Sequence, residues 1–322
     1  MKIAVLYDTF ETHKQPINDL YCDFNDESSM KAVARALIRS RYDVTEIFEL
    51  DQIKNEDFSK YDLVFNVFEG THSRNREALI PGKLELYNIP FVGADSYVAI
   101  VSLDKILSKL IATYLGIQVP KFLEYSCLDD LNQDIKKLKT PLIVKPCSEG
   151  NSASTSPFEK YEEAENFIRK LIKRYNGRVL CEEFIEGKEL TVPIIGNGES
   201  AYCLGVAGYE EQNDDGFWLD YKYKLFGGLT DCIAQIPKET KDLIMNQALT
   251  FYKYIGCLDY GRIDFRLDKN GTPFFLELNA YPTLCTNGSF AVLGKEMGMN
   301  YDDIITKIVD AAIKRVYASK TI

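Results

Sequence analysis

One short stretch constrains this chain more than any other: RIDFRLDKNGTPFFLELN, residues 262–279. Alternation puts Arg262, Asp264 and Arg266 on one face of a strand and Ile263, Phe265 and Leu267 on the other. Asn270-Gly271 is a favoured two-residue hairpin turn. With those two residues as the loop, Asp264 faces Glu277 and Arg262 faces Asn279. Two carboxylates directly opposite on one sheet face repel. A divalent cation between them removes that penalty, and an oxygen-only set of Asp, Glu and Asn suits Mg²⁺. Asp264, Glu277 and Asn279 are therefore candidate metal ligands, with Arg262 beside them. The competing reading is a hairpin whose charges are simply hydrated. The asparagine that completes the cluster and the flanking arginine weigh against it.

The rest of the chain supplies a frame for such a hairpin. KIAVLY (2–7) reads as a buried strand. Residues 28–41 read as a helix, with Met30, Val33, Ala34, Leu37 and Ile38 at three- and four-residue spacing and Asp26 or Ser28 placed to cap it. VTEIFEL and DLVFNVFEG are apolar strands, ALIPGKLELYN a second helix, and Ile89–Gly93 a short strand. Strand and helix alternating in this way predict a parallel sheet with a ligand crevice at the carboxyl ends of its strands. This first unit ends near residue 96. A second unit contains a helix over Asp104–Tyr114, the strand TPLIVKP, the amphipathic helix YEEAENFIRKLIKRY and the strand RVLCEEFI. Gly187 marks a turn, and a third unit runs from ELTVPII to a C-terminal helix at Tyr301–Val316.

Two further signals fall within the second unit. Lys145 ends the apolar run PLIV, where an unpaired ammonium is costly. The following residues, Pro146 to Ser154, can bring backbone N–H groups onto phosphate oxygens, although the P-loop spacing is absent. A lysine that snorkels from a strand end is the plainer alternative. Lys105, four residues before Lys109, passes on spacing alone for a surface helix lysine. In CEEFIEGKEL, an inter-domain strand over Glu182 to Ile185 could offer backbone groups to a purine, and Glu189 could bind ribose hydroxyls. An acidic edge strand explains that segment nearly as well.

Composition excludes several classes. A net charge of −10 argues against a broad nucleic-acid surface. The eight cysteines form no C-x-x-C pair, and with two histidines (His13, His72) no zinc site of usual spacing exists. No apolar run approaches a membrane span or a signal-peptide core, so reduced thiols in the cytoplasm are expected.

Taken in order, SLDKILSK, PLIVKPCSEGNSAS, VLCEEFIEGKELTV, YKYKL, GRIDFRLDKNG and FLELNAYP resemble the D-alanine–D-alanine ligase family of ATP-grasp enzymes. The resemblance implies a mixed α/β, three-domain ATP-grasp fold: an N-terminal parallel-sheet domain (1–96), a central subdomain (97–187) and a C-terminal subdomain (188–322). It implies an ATP-dependent carboxylate–amine ligase that forms an amide through an acyl phosphate and releases ADP and phosphate. Lys105 and Lys145 would touch ATP phosphates. Glu182, Glu183, Phe184 and Ile185 would line the adenine site, and Glu189 would hold the ribose. Lys224 would sit on a closing loop, within Tyr209–Gly228, and Ser152 on the phosphate loop. Arg262 would steady the transferring phosphoryl group and the oxyanion. Asp264, Glu277 and Asn279 would bind two Mg²⁺ ions, for which Mn²⁺ can substitute. The partners implied are small amino-acid-like acids and amines and a second copy in a homodimer, with no nucleic acid and no membrane.

The departures lie on the substrate side. DTFETHKQPINDLYCDFNDE stands where the family has a glycine-rich loop with a Ser/Glu motif, and EGTHSRNREALIPGKLE stands where it has a His-Gly segment. The family's serine pair becomes Asn151-Ser152, its post-lysine Tyr becomes Leu225, and its Pro-Gly becomes Pro282-Thr283. Its later serine aligns with Gly288 or Ser289. These changes point to substrates other than D-alanine, with Arg74, Arg76 and Glu77 as candidates to bind a charged one. The rival readings are an ATP-grasp kinase and an ATP-binding regulator without turnover.

Overall fold

The computed structural model describes residues 1–9, 26–71, 73–132, 134–150, 155–175, 178–209 and 231–318. At its N-terminal end, β1 (Lys2–Tyr7), α1 (Glu27–Arg39), β2 (Asp43–Ile47), α2 (Leu50–Asn55), β3 (Leu63–Val67), α3 (Leu79–Leu86) and β4 (Phe91–Val92) follow one another. Their strands form a parallel sheet of order β2-β1-β3-β4, as the strand–helix alternation requires. The Asp26 carboxylate accepts from Ser29 N at 2.9 Å, so Asp26 and not Ser28 caps α1. Met30, Val33, Ala34 and Leu37 are buried as their spacing predicts, but Ile38 stays 55% exposed. Ala36 takes the core-facing place instead, and the buried stripe turns away from Ile38. The strand expected over VTEIFEL stops at Ile47, where α2 follows, and Ile89–Gly93 contributes only Phe91 and Val92 to the sheet.

Next come α4 (Ser96–Leu103) and α5 (Lys105–Tyr114), then β5 (Phe122–Tyr125), β6 (Leu142–Pro146), β7 (Ser156–Phe158), α6 (Tyr161–Tyr175) and β8 (Val179–Glu183). These strands form an antiparallel sheet of order β5-β8-β6-β7, on which α6 buries Ala164, Ile168 and Leu171. Burying the Ile168 or the Leu171 side chain stabilises the fold by about 1.5–3 kcal/mol.

The last sheet has six strands: β9 (Gly187–Ile195), β10 (Tyr202–Cys203), β11 (Ala207–Tyr209), β12 (Asp231–Ile233), β13 (Tyr260–Asp268) and β14 (Pro273–Asn279). α7 (Lys238–Tyr254) packs on it, together with α4 and α5. α8 (Ser289–Glu296) and α9 (Tyr301–Ala318) turn to the parallel sheet, and Ile304, Ile305 and Ile308 share one core with Ile3, Val33 and Leu37. Elements far apart in sequence thus lock the first and last thirds of the chain together. Among the described residues no helix is long and apolar enough to cross a membrane.

Candidate functional site

The hairpin of β13 and β14 brings together the residues expected of it, by a different route. Asp268 N donates to Thr272 O (3.0 Å) and Gly271 N to Asp268 O (3.0 Å), so the loop holds three residues, Lys269 to Gly271, rather than two. Gly271 sits at φ +80°, where glycine has no Cβ penalty. That shift would misalign Asp264 and Glu277, but a bulge at Leu276 restores the register. Arg262 pairs with Asn279 and Asp264 with Glu277. The bulge also turns two consecutive side chains, Leu276 and Glu277, into the same cleft. Ile263 and Phe265 point the other way and are fully buried.

Asp264 is the centre of a dense network. Its carboxylate accepts from Thr191 Oγ1 on β9 (2.6 Å), from Asn279 Nδ2 (2.9 Å) and from Arg262 through both Nε and NH2 (2.9 Å each). Burial alone would lower the Arg262 pKa, but the Asp264 carboxylate outweighs it and holds the guanidinium above its ordinary range. Glu277 pairs instead with Lys105 Nζ at 3.1 Å. Each carboxylate therefore has its own cation, which relieves the repulsion expected across the pair. Among the described residues no three His, Cys, Asp or Glu side chains gather into a metal cluster. Two carboxylates and an amide are what the hairpin provides. Because Asn279 gives its amide hydrogen to Asp264, the ligand atom it would offer is the carbonyl oxygen. That hard-oxygen set fits Mg²⁺, which usually completes its shell with water and substrate phosphates.

The three lysines of the second unit converge on the opposite wall. Asp104 caps α5, accepting from Ile106 N (3.1 Å) and Leu107 N (2.9 Å), and Arg178 holds Asp104 in place. Lys105, at the first turn, is buried: its Nζ donates to Glu149 O at 2.6 Å, and its backbone N–H to Cys147 O. The surface-lysine reading of Lys105 is thus corrected, since the helix end docks against the loop after β6. Lys145 Nζ lies 2.7 Å from Glu182, and Lys109, 0% exposed, lies 2.9 Å from the same carboxylate. Burial would raise the Glu182 pKa, but the two ammonium groups outweigh it and keep the carboxyl below its usual range. Burial depresses Lys109. Only the four-residue spacing from Lys105 hinted at Lys109. Glu182, expected to line a purine site, has a side chain committed to the lysines.

Glu183, Phe184, Ile185 and Glu189 lie along the same cleft, with Lys105, Lys145, Glu182 and Glu277. Arg266, on the charged face of the hairpin, reaches this wall as well. A second pocket continues from Lys105 and Glu277 toward the parallel sheet, where Glu69 and Glu77 enter it beside Arg262. Arg76 does not line it: its NH1 donates to Ser148 O at 2.7 Å instead. Ser152, Lys224, Leu225, Asn151, His13 and His72 lie outside the described residues, as does most of the expected closing loop.

The family model described as the D-ala D-ala ligase C-terminus matches residues 111–310. The chain belongs to the D-alanine–D-alanine ligase family. A D-alanine–D-alanine ligase of Nitrosospira multiformis is 33% identical over 246 residues, 75% of this chain and 77% of the relative. One of Bordetella petrii is 30% identical over 260 residues, 80% of this chain and 78% of the relative. In fold, the chain is similar to a crystal structure of a D-alanine–D-alanine ligase from Bacillus anthracis complexed with ATP. The TM-score is 0.78 at 21% identity, covering 99% of both chains. The protein is an ATP-dependent ligase that forms carbon–nitrogen bonds, with the mixed α/β ATP-grasp fold and parallel-sheet N-terminal end that the sequence motifs imply.

Proposed function

We propose that this ligase activates a small carboxylic acid as an acyl phosphate and passes the acyl group to an amine, and that its substrate pair is not two molecules of D-alanine. The observation that carries the reading is Lys105, whose ammonium touches both the loop carbonyl of Glu149 and the hairpin carboxylate of Glu277. Nucleotide wall and hairpin both reach that atom.

The chemistry follows from the residues present. Lys105 and Lys145 exchange their carboxylate partners for phosphate oxygens when ATP enters. Phe184, Ile185 and Glu189 line the base and ribose end. Mg²⁺, held by Asp264, Glu277 and Asn279, would neutralise charge that spreads over the phosphoryl oxygens in transfer. A carboxylate oxygen of the acid attacks the γ-phosphorus and ADP departs. A neutral amine attacks the acyl carbon, Arg262 stabilises the oxyanion, and phosphate leaves as the amide forms. Ser152 on the phosphate loop and Lys224 on the closing loop complete this assignment, as do units bounded at 1–96, 97–187 and 188–322.

The altered substrate pair is supported by the second pocket. There Glu69 and Glu77 enter beside Arg262, in a segment that departs from the family's His-Gly pattern. A phosphate-release screen over pairs of D- and L-amino acids and other small acids tests the reading. The expected result is ADP, phosphate and an amide from a pair other than D-alanine with itself. Efficient formation of D-alanyl-D-alanine would overturn the altered-substrate part, and a stable phosphoester product would replace the ligase reading with a kinase.

A further inference from the structure

We propose that Arg266 is a positioning residue for the nucleotide base, because its guanidinium staples the crossing segment Phe184–Gly187 to the catalytic hairpin; this rests on the reading of the cleft as the nucleotide site. Three residues, Phe184 to Glu186, carry the chain from the end of β8 in the antiparallel sheet to the start of β9 in the six-stranded one. Phe184 N donates to Pro141 O at 2.9 Å, and the Glu186 carboxylate meets Lys269 at 2.9 Å.

Arg266 adds a clamp on the backbone between and beyond those two points. Its Nε donates to Ile185 O at 2.7 Å and its NH2 to Gly187 O at 2.9 Å, so one planar group holds the middle of the link and the first residue of β9. The guanidinium lies over the Phe184 ring, 4.6 Å from its centroid, where a cation is attracted to the π face. The Glu189 carboxylate stands 3.6 Å away. Burial lowers the arginine's pKa, yet a guanidinium remains charged far above neutrality. The link also passes very close to the hairpin backbone. Gly187 has φ +145°, and a Cβ there would lie 1.9 Å from Leu267 O, so only glycine fits.

Arg266, Phe184, Ile185 and Glu189 all face the cleft. With the Ile185 and Gly187 carbonyls each accepting from Arg266, the link is held still, and its backbone groups keep a fixed place for a base to read. A lysine cannot do the same, since a single ammonium lacks the planar fork that spans two carbonyls and stacks on a ring.

The test compares Arg266→Lys and Arg266→Gln with Lys145→Ala in the full chain. Dissociation constants are measured by calorimetry for ATP, AMP and tripolyphosphate, alongside the unfolding temperature without ligand. Both Arg266 variants should weaken ATP and AMP about tenfold and leave tripolyphosphate within about twofold. Lys145→Ala should weaken ATP and tripolyphosphate and spare AMP. Unchanged ATP and AMP affinity in the Arg266 variants would overturn the proposal while leaving the cleft assignment intact, provided Lys145→Ala weakens ATP. Equal losses for ATP and tripolyphosphate would also overturn it, because they would mark general damage. If Lys145→Ala bound ATP normally, the cleft assignment and the proposal would fall together.

Discussion

The two pockets that meet at Lys105 are built differently. The cleft proposed for the nucleotide draws its ionic groups from strands and a helix end, and they are paired with one another: Lys145 and Lys109 with Glu182, Lys105 with Glu277. The pocket toward the parallel sheet draws Glu69 and Glu77 from the segment after β3. Rigid elements suit a ligand that every member of a family shares, because side chains there are set by register and helix phase. Loops suit the part that varies, since their residues change without disturbing a core. The contrast frames the proposed function, in which the chain keeps the family's reaction while its substrate pair differs.

Substitutions at the shared wall should break the contrast most severely. Glu277→Ala should lower kcat by about a thousandfold or more and weaken Mg·ATP binding, with the unfolding temperature little changed. Steady-state kinetics with either metal, Mg²⁺ or Mn²⁺, would reveal it, and unchanged rates would remove Glu277 from the site. Lys109→Met leaves the Glu182 carboxylate, 4% exposed in its side chain, short of one cation. Loss of one partner of a buried pair costs about 3–5 kcal/mol, to be read from urea unfolding. Adding Glu182→Gln to it should restore part of that loss.

Arg262→Lys keeps the charge but gives up the two-pronged contact with Asp264, and kcat should fall about a hundredfold. A smaller effect is expected from pH. Because Glu182 binds its proton more weakly in the folded protein than the ordinary value of 4.5, the unfolded chain takes up protons first as pH falls. Stability should drop as pH descends below about 4.5 toward the lower folded value, and Glu182→Gln should flatten that slope in unfolding measured across the acid range. The least effect on the nucleotide should come from Glu77→Gln, which should change substrate preference yet leave ATP affinity within about twofold. A large ATP effect there would erase the distinction between the pockets.

Much of the hairpin and of the helix beginning at Lys105 is legible in the sequence because strand alternation and helix phase are local rules. The facing of Asp264 and Glu277 follows from pattern, although Asn270-Gly271 predicts a two-residue turn. A longer turn and the bulge at Leu276 cancel, and no alternation signal exposes two offsets that sum to nothing. The burial of Lys109 is not legible in the sequence, because it depends on Glu182 from a distant strand. α4 is not legible either: SYVAIVSL is apolar at all but its two serines and carries no period to detect. Arg76 had the right charge for a substrate ligand, but spatial proximity to the Ser148 carbonyl decides its contact, and sequence spacing contains nothing of that.

A regular pleated ribbon shows a visitor every second side chain and hides the next. By slipping one residue at position 276, the ribbon here lets a hydrocarbon and an acid stand shoulder to shoulder on the same side. A single elongated molecule with a greasy end and an ionic end can then be met by immediate neighbours. Excising Leu276 would restore the plain weave and keep Asp264 opposite Glu277, but that greasy end would lose its floor.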